Sequence, residues 1–211
     1  KKKNIITFVG KLNKAKGYDI FGLAIIDILN KYKNWSSIVI GDEDREKHFF
    51  EHKNLDILGF QNHKKVLEIF KKTSISVVCS RWEEPFGRTS LESSSCGCAV
   101  IITNRGGLPE TITNGIIVEK LNKKNIFNAI EKLIINKKFR NNLQKLSLKN
   151  FSLSNNYSSN LIDAYRDELF KISHVIIKNK LMFFILKNLL SNHILQNHTN
   201  TVIPRGFGVL G

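Results

Sequence analysis

The chain has 211 residues and carries 33 Lys and Arg against 18 Asp and Glu, a formal net charge of +15. That length suits one full domain or a domain with an appendage and leaves little room for two large independent cores. With 42% hydrophobic residues, 13 Gly and 3 Pro, the composition excludes collagen-like, low-complexity and wholly disordered chains.

In chain order, the apolar run at residues 4–9 reads as a buried strand. It leads into Gly10-Lys11-Leu12-Asn13-Lys14-Ala15-Lys16-Gly17, a turn bounded by glycines with Lys11 and Lys16 inside it. A tight turn, fixed cations and the start of a helix together suit a phosphate, although a basic turn of this kind is also commonly just solvated. The turn is neither a Walker A loop nor a GxGxxG fingerprint. Helical period over residues 16–32 places Ile20, Leu23, Ala24 and Ile28 on one stripe. A strand follows at 37–40, with Trp35 at the turn before it. His48 and His52 lie four apart on an expected helix between Glu46 and Glu51; without HExxH spacing they read as a solvated face rather than a metal site. Residues 55–58 and 63–72 read as strand and helix.

The run at 75–79 is a continuous apolar strand, and the loop after it holds Glu84, Pro85, Phe86 and Gly87 before a helix expected to begin near Arg88. Glu92 then sits about 7 Å along that helix from Gly87, at 1.5 Å per residue. Two carboxylates so placed suit separate hydroxyl-bearing parts of one extended ligand rather than a glycosidase pair. The helix end and the lysines favour an anion between them. Taken singly, Glu84 reads as a solvated loop acid and Glu92 as an ordinary first-turn charge. The strand at 99–103 opens into Asn104-Arg105-Gly106-Gly107-Leu108-Pro109-Glu110, whose paired glycines permit close backbone approach. A strand at 115–118 and helices at 124–135, 137–150 and 155–171 complete the pattern.

Continuous apolar strands joined by helix-length crossovers require a parallel sheet covered on both faces, an α/β Rossmann-like doubly wound fold with C-terminal helices. The expected division is a domain over residues 1–173 and a tail over 174–211. The tail reads as a packing or poorly ordered segment ahead of an interfacial helix presenting Lys178, Lys180 and Lys187 to lipid headgroups, because its lysines define no clean polar face. The longest apolar run, 181–186, is short of the ~20 residues that span a bilayer. Cys79, Cys96 and Cys98 are odd in number and lack CxxC spacing, so a reducing compartment is expected without disulfides or zinc. Lysine, asparagine and isoleucine are abundant together, as an AT-rich genome supplies them, and aromatics do not interleave with the cations; no nucleic-acid partner is expected. The chain opens on Lys1 and its only methionine is Met182, so it is expected to begin inside a longer polypeptide.

The segments FVGKLNKAKGYD (8–19), LGF (58–60), EPFGRTSLE (84–92), SCGCAVI (95–101) and GGLPETITNG (106–115), in this order, resemble the donor-binding C-terminal half of GT-B retaining glycosyltransferases of family four, the glycosyl transferases group 1. The resemblance covers about residues 4–169. It implies that Lys11, where the family usually has Arg, and Lys16 neutralise a nucleotide-sugar diphosphate, with Gly10 in the same turn. Glu84 would hold the sugar hydroxyls beside the backbone of Phe86, Gly87 and Arg88. Glu92 would hold the ribose, and Gly59 and Phe60 would border the base. It further implies transfer with retention, no metal or other cofactor, and a glycan or lipid-linked acceptor recognised by an N-terminal domain missing from this chain. The setting expected is envelope polysaccharide synthesis, cytoplasmic, with peripheral contact at the inner membrane face. A same-fold nucleotide-sugar epimerase and a non-catalytic nucleotide-binding module are the alternatives.

Overall fold

The computed structural model describes residues 1–152 and 155–199, with side chains described as far as Leu189 except that of Asn155. Strands β1 (Lys3–Val9), β2 (Ser36–Ile40), β3 (Leu55–Ile57), β4 (Thr73–Val78), β5 (Ala99–Thr103) and β6 (Gly115–Val118) form one sheet in the order β3-β2-β1-β4-β5-β6. Every pairing is parallel. The order reverses between β1 and β4, so the chain runs outward in both directions from the middle of the sheet and leaves a crevice at its carboxyl edge.

Helices α1 (Tyr18–Lys31), α2 (His63–Lys72), α3 (Arg88–Ser95), α4 (Lys123–Ile135) and α5 (Lys137–Lys149) supply the crossovers and covering layers. The sequence marks several starts: the side chains of Asn62, Asn122 and Asn136 accept the N–H groups of Lys65, Asn125 and Phe139, each satisfying one otherwise orphaned donor. Strand β5 is buried along its whole length, as an interior parallel strand must be. One core packs Phe21, Ile25 and Ile28 of α1 and Ile126 and Ile130 of α4 against Ile6, Phe8 and Ile75. The other packs Val66, Ile69 and Phe70 of α2 against Ile40, Val100 and Ile102. The expected doubly wound fold is therefore present.

Two local expectations change. Residues 44–52 form no helix. Glu43 and Glu46 bind the turn after β1 through Asn13 Nδ2 and Lys14 N, and the Phe50 ring occupies the notch left by Gly22 on α1, where a Cβ would lie 2.0 Å from it. His48 and His52 consequently share no helix face. The last helix is also longer than its period indicated: α6 (Asn155–Thr199) runs 45 residues and passes Ser173 without a break. The chain divides into compact units at residues 1–154 and 155–211. No described helix is long and apolar enough to cross a membrane.

Candidate functional site

The loops leaving β1, β4 and β5 meet at the carboxyl edge of the sheet and are bonded to one another through backbone. Gly17, in the left-handed region at φ 73°, ends the first loop so close to β4 that a Cβ there would lie 1.9 Å from the Cys79 carbonyl oxygen. Only glycine fits such an approach. The Ala15 carbonyl accepts from Arg81 N at 2.8 Å, Trp82 N at 3.1 Å and Ser80 Oγ at 3.1 Å. Arg81 adds a bidentate pair to Asp19, at 2.7 and 2.9 Å. Burial opposes ionisation of Asp19, yet the Arg81 guanidinium prevails and holds its carboxyl below the usual value. Burial raises the Cys79 thiol to about 12, so it is an inert packing group beneath the loops.

The third loop supports the second from below. Gly107 N donates to the Glu84 carbonyl at 2.6 Å, and a Cβ on Gly106 would lie 2.3 Å from that oxygen. Glu83 accepts from Arg105 Nη1 at 2.9 Å and Gly106 N at 2.6 Å, and these bonds lower its pKa. Gly87 caps α3 where a Cβ would meet Leu108 Cδ2 and Ser90 Oγ at 2.5 Å. The paired glycines thus fix the height of the Glu84–Gly87 backbone.

Within this frame Gly10, Lys16, Ser80, Glu84, Gly87 and Arg88 line a cavity of about 60 Å³. Lys16 Nζ forms an ion pair with Glu84 Oε1 across it. A second hollow of about 270 Å³ shares Gly10 and is lined by Lys11, Gly41, Asp42 and Phe60. Gly59, at φ 64°, turns the chain into that hollow while its carbonyl accepts from Gly41 N at 2.9 Å. The structure therefore brings Lys16 and Glu84 into contact and puts Lys11 on the far side of Gly10. Phe86 is half exposed and its carbonyl accepts from Arg88 N. Trp82 is exposed on the same loop. Glu92 lines neither hollow; its Oε1 lies 3.1 Å from His63 Nε2 and 3.7 Å from Arg88 Nη2. Among the described residues no group of three or more His, Cys, Asp or Glu side chains is arranged to hold a metal ion.

Arg81, Asp19, Glu83 and His63 are participants that the spacing of residues does not single out. Arg81 and Asp19 are 62 positions apart, and only their places at the exits of adjacent strands foreshadow the pair.

The family model described as glycosyl transferases group 1 matches residues 1–149. Spore coat protein SA of Bacillus subtilis is 31% identical over 163 residues, covering 69% of this chain and 43% of that protein. The chain thus spans about two fifths of the length of such curated relatives. The C-terminal domain of a glycosyl transferase group 1 family protein, LpcC of Francisella tularensis, superposes with a TM-score of 0.61 at 28% identity, over 69% of this chain and 82% of that one. Anabaena HepE, solved in complex with UDP, shares the fold at a TM-score of 0.61 and 17% identity, over 78% of this chain and 49% of that one. With a family match over most of its length and a Rossmann-like sheet common to these GT-B domains, the chain belongs to the glycosyl transferases group 1.

Proposed function

We propose that this chain is the donor-binding half of a retaining glycosyltransferase that uses a nucleotide-diphosphate sugar. The observation carrying this reading is the Lys16–Glu84 pair across the small cavity at the switch point, beside the start of α3. An ammonium group and a carboxylate held in contact by rigid loops match a ligand whose phosphate and sugar hydroxyls are adjacent. On binding, Lys16 turns to the diphosphate and Glu84 to the hydroxyls, and each exchanges its present partner for a ligand group. Lys11 reaches the diphosphate from the other side of Gly10, while Gly59 and Phe60 border the base in the larger hollow. Glu92, oriented by His63, takes the ribose, and the backbone of Phe86, Gly87 and Arg88 lies along the sugar.

As the anomeric bond breaks, negative charge grows on the leaving diphosphate. Fixed cations and the first-turn N–H groups of α3 stabilise that charge more than the ground state, which is how such a site accelerates transfer. The acceptor attacks from the face the diphosphate leaves, giving retention, and these protein charges serve without a metal or other cofactor. Acceptor recognition belongs to an N-terminal domain outside this chain, for a glycan or lipid-linked acceptor in envelope polysaccharide synthesis at the cytoplasmic side. The UDP complex of HepE, a protein of the same fold, supports a nucleotide donor. Titration calorimetry of the chain with UDP-, GDP- and ADP-sugars is the test. One series binding at a single site is expected; no binding by any of them would overturn the reading.

A further inference from the structure

The larger hollow beside Gly10 has apolar walls from Val9, Ile40 and Val66, and Phe60, exposed in its lining, supplies an aromatic side chain against which a flat ring can pack. Asp42 and Gln61 add polar groups to the same lining. The backbone around Asp42 is fixed. Gly41 N donates to the Gly59 carbonyl at 2.9 Å, Leu12 N donates to the Asp42 carbonyl at 3.2 Å, and a Cβ on Gly41 would lie 1.8 Å from the Gly10 carbonyl oxygen. The neighbouring acids are committed elsewhere. Glu43 accepts from Arg45 Nε at 3.1 Å and Asn13 Nδ2 at 2.9 Å, bonds that lower its carboxyl to about 2, and Glu46 accepts from Lys14 N at 3.0 Å. Asp44 does not line this hollow. The Asp42 carboxylate, by contrast, has no side-chain partner among the described residues. Gln61 Nε2 donates to the Leu58 carbonyl at 2.8 Å, which sets the orientation of the amide and leaves its second N–H for another acceptor.

These groups favour one base over the others. An ionised carboxylate only accepts, through a pair of adjacent oxygens. Guanine presents a matching pair of donors on its pairing edge, the N1–H and the 2-amino group. Uracil has a single ring N–H flanked by carbonyl oxygens, which a carboxylate repels, and adenine and cytosine set an accepting ring nitrogen beside their amino group. Guanine's O6 then needs a donor, and the remaining N–H of Gln61 supplies one from the same lining. We infer that Asp42 selects guanine, with Gln61 at O6, so that the donor is a GDP-sugar; this rests on the donor-site reading above and leaves Lys11 to the diphosphate. A base without the paired donors would bury the Asp42 carboxylate against groups that cannot satisfy it, and that penalty is the source of the selection.

Calorimetry of the full chain with GDP, inosine diphosphate, UDP and ADP tests this. GDP should bind tightest, and inosine diphosphate, which lacks only the 2-amino group, about tenfold more weakly. UDP and ADP should bind no better than inosine diphosphate. Asp42→Asn should lower GDP affinity at least about tenfold while leaving UDP affinity within about twofold, with an unchanged unfolding midpoint. The same variant should gain affinity for xanthosine diphosphate, whose 2-oxygen accepts from the new amide, a gain that damage to the fold would not produce. Wild-type affinity for UDP or ADP equal to or above that for GDP, or an Asp42→Asn variant that weakens GDP and UDP alike and gains nothing for xanthosine diphosphate, would overturn the guanine assignment and leave the donor site standing. Failure of all four diphosphates to bind would overturn both.

Discussion

The two edges of this sheet treat charge in opposite ways. At the carboxyl edge four cations are matched: Lys16 with Glu84, Arg81 with Asp19, Arg105 with Glu83, and Arg88 with Glu92. At the amino edge Lys137, Lys138 and Lys145 stand in an acid-free surface. Matched pairs hold geometry and can be exchanged for a ligand that brings both phosphate and hydroxyl groups. Unmatched cations hold no geometry and respond to field alone. One basic chain thereby presents a shaped site and an unshaped one, a difference that its net charge of +15 conceals.

The largest effect that would sharpen this contrast is steric. Gly17→Ala at the carboxyl edge directs a Cβ into the Cys79 carbonyl at 1.9 Å with φ at 73°. It should cost at least about 3 kcal/mol of stability in urea denaturation. Gly97→Ala at the amino edge has a similar φ of 72°, but the atoms nearest its Cβ belong to the Leu148 side chain, which can move; about 1–2 kcal/mol is expected. Equal losses would mean that the two edges are equally rigid.

Next comes the ion pair across the cavity. Lys16→Ala should weaken nucleotide-diphosphate binding by about 1.5–3 kcal/mol while hardly changing affinity for the nucleoside, as a charge-assisted phosphate contact requires. Equal losses for both ligands, read by calorimetry, would break the assignment. Glu92→Gln should cost about 1 kcal/mol of discrimination between ribose and deoxyribose nucleotides; unchanged discrimination would remove Glu92 from the ribose.

The smallest effect is the pH dependence of the Asp19–Arg81 clamp. The folded carboxyl titrates below its unfolded value of about 3.9. Its contribution is therefore present above that pH and is lost as pH falls through the folded value. Asp19→Asn should cost about 0.5–1 kcal/mol at pH 7, since Arg81 is partly exposed. The difference between variant and wild type should shrink in acid; a difference unchanged down to about pH 2 would show that the clamp's charge contributes nothing.

Much of the fold was legible because apolar runs such as AVIIT report their own burial. The exits of those runs located the crevice; Gly10, Lys16, Ser80, Glu84 and Gly87 of its smaller hollow lie in loops the spacing drew out, whereas Gly41 and Asp42 of the larger one lie at the exit of β2, which it did not. Other features were written in no local pattern. Histidines four apart at His48 and His52 resemble a helix face, but Gly22 opens a slot that draws Phe50 inward and the segment follows it. The Arg81–Asp19 and His63–Glu92 contacts join residues 62 and 29 positions apart, and sequence spacing says nothing of pairs that only a finished sheet brings together. The extent of α6 was hidden because its polar and apolar residues follow no clean stripe.

The Ala15 carbonyl, with its three donors from the neighbouring strand exit, has a dynamic consequence. Neither segment can lift away alone, because a departure by either one breaks the same bonds. Amides at Arg81 and Trp82 should therefore exchange with solvent deuterium together, as one cooperative block, at a rate set by the joint opening of both segments rather than by the fraying of either.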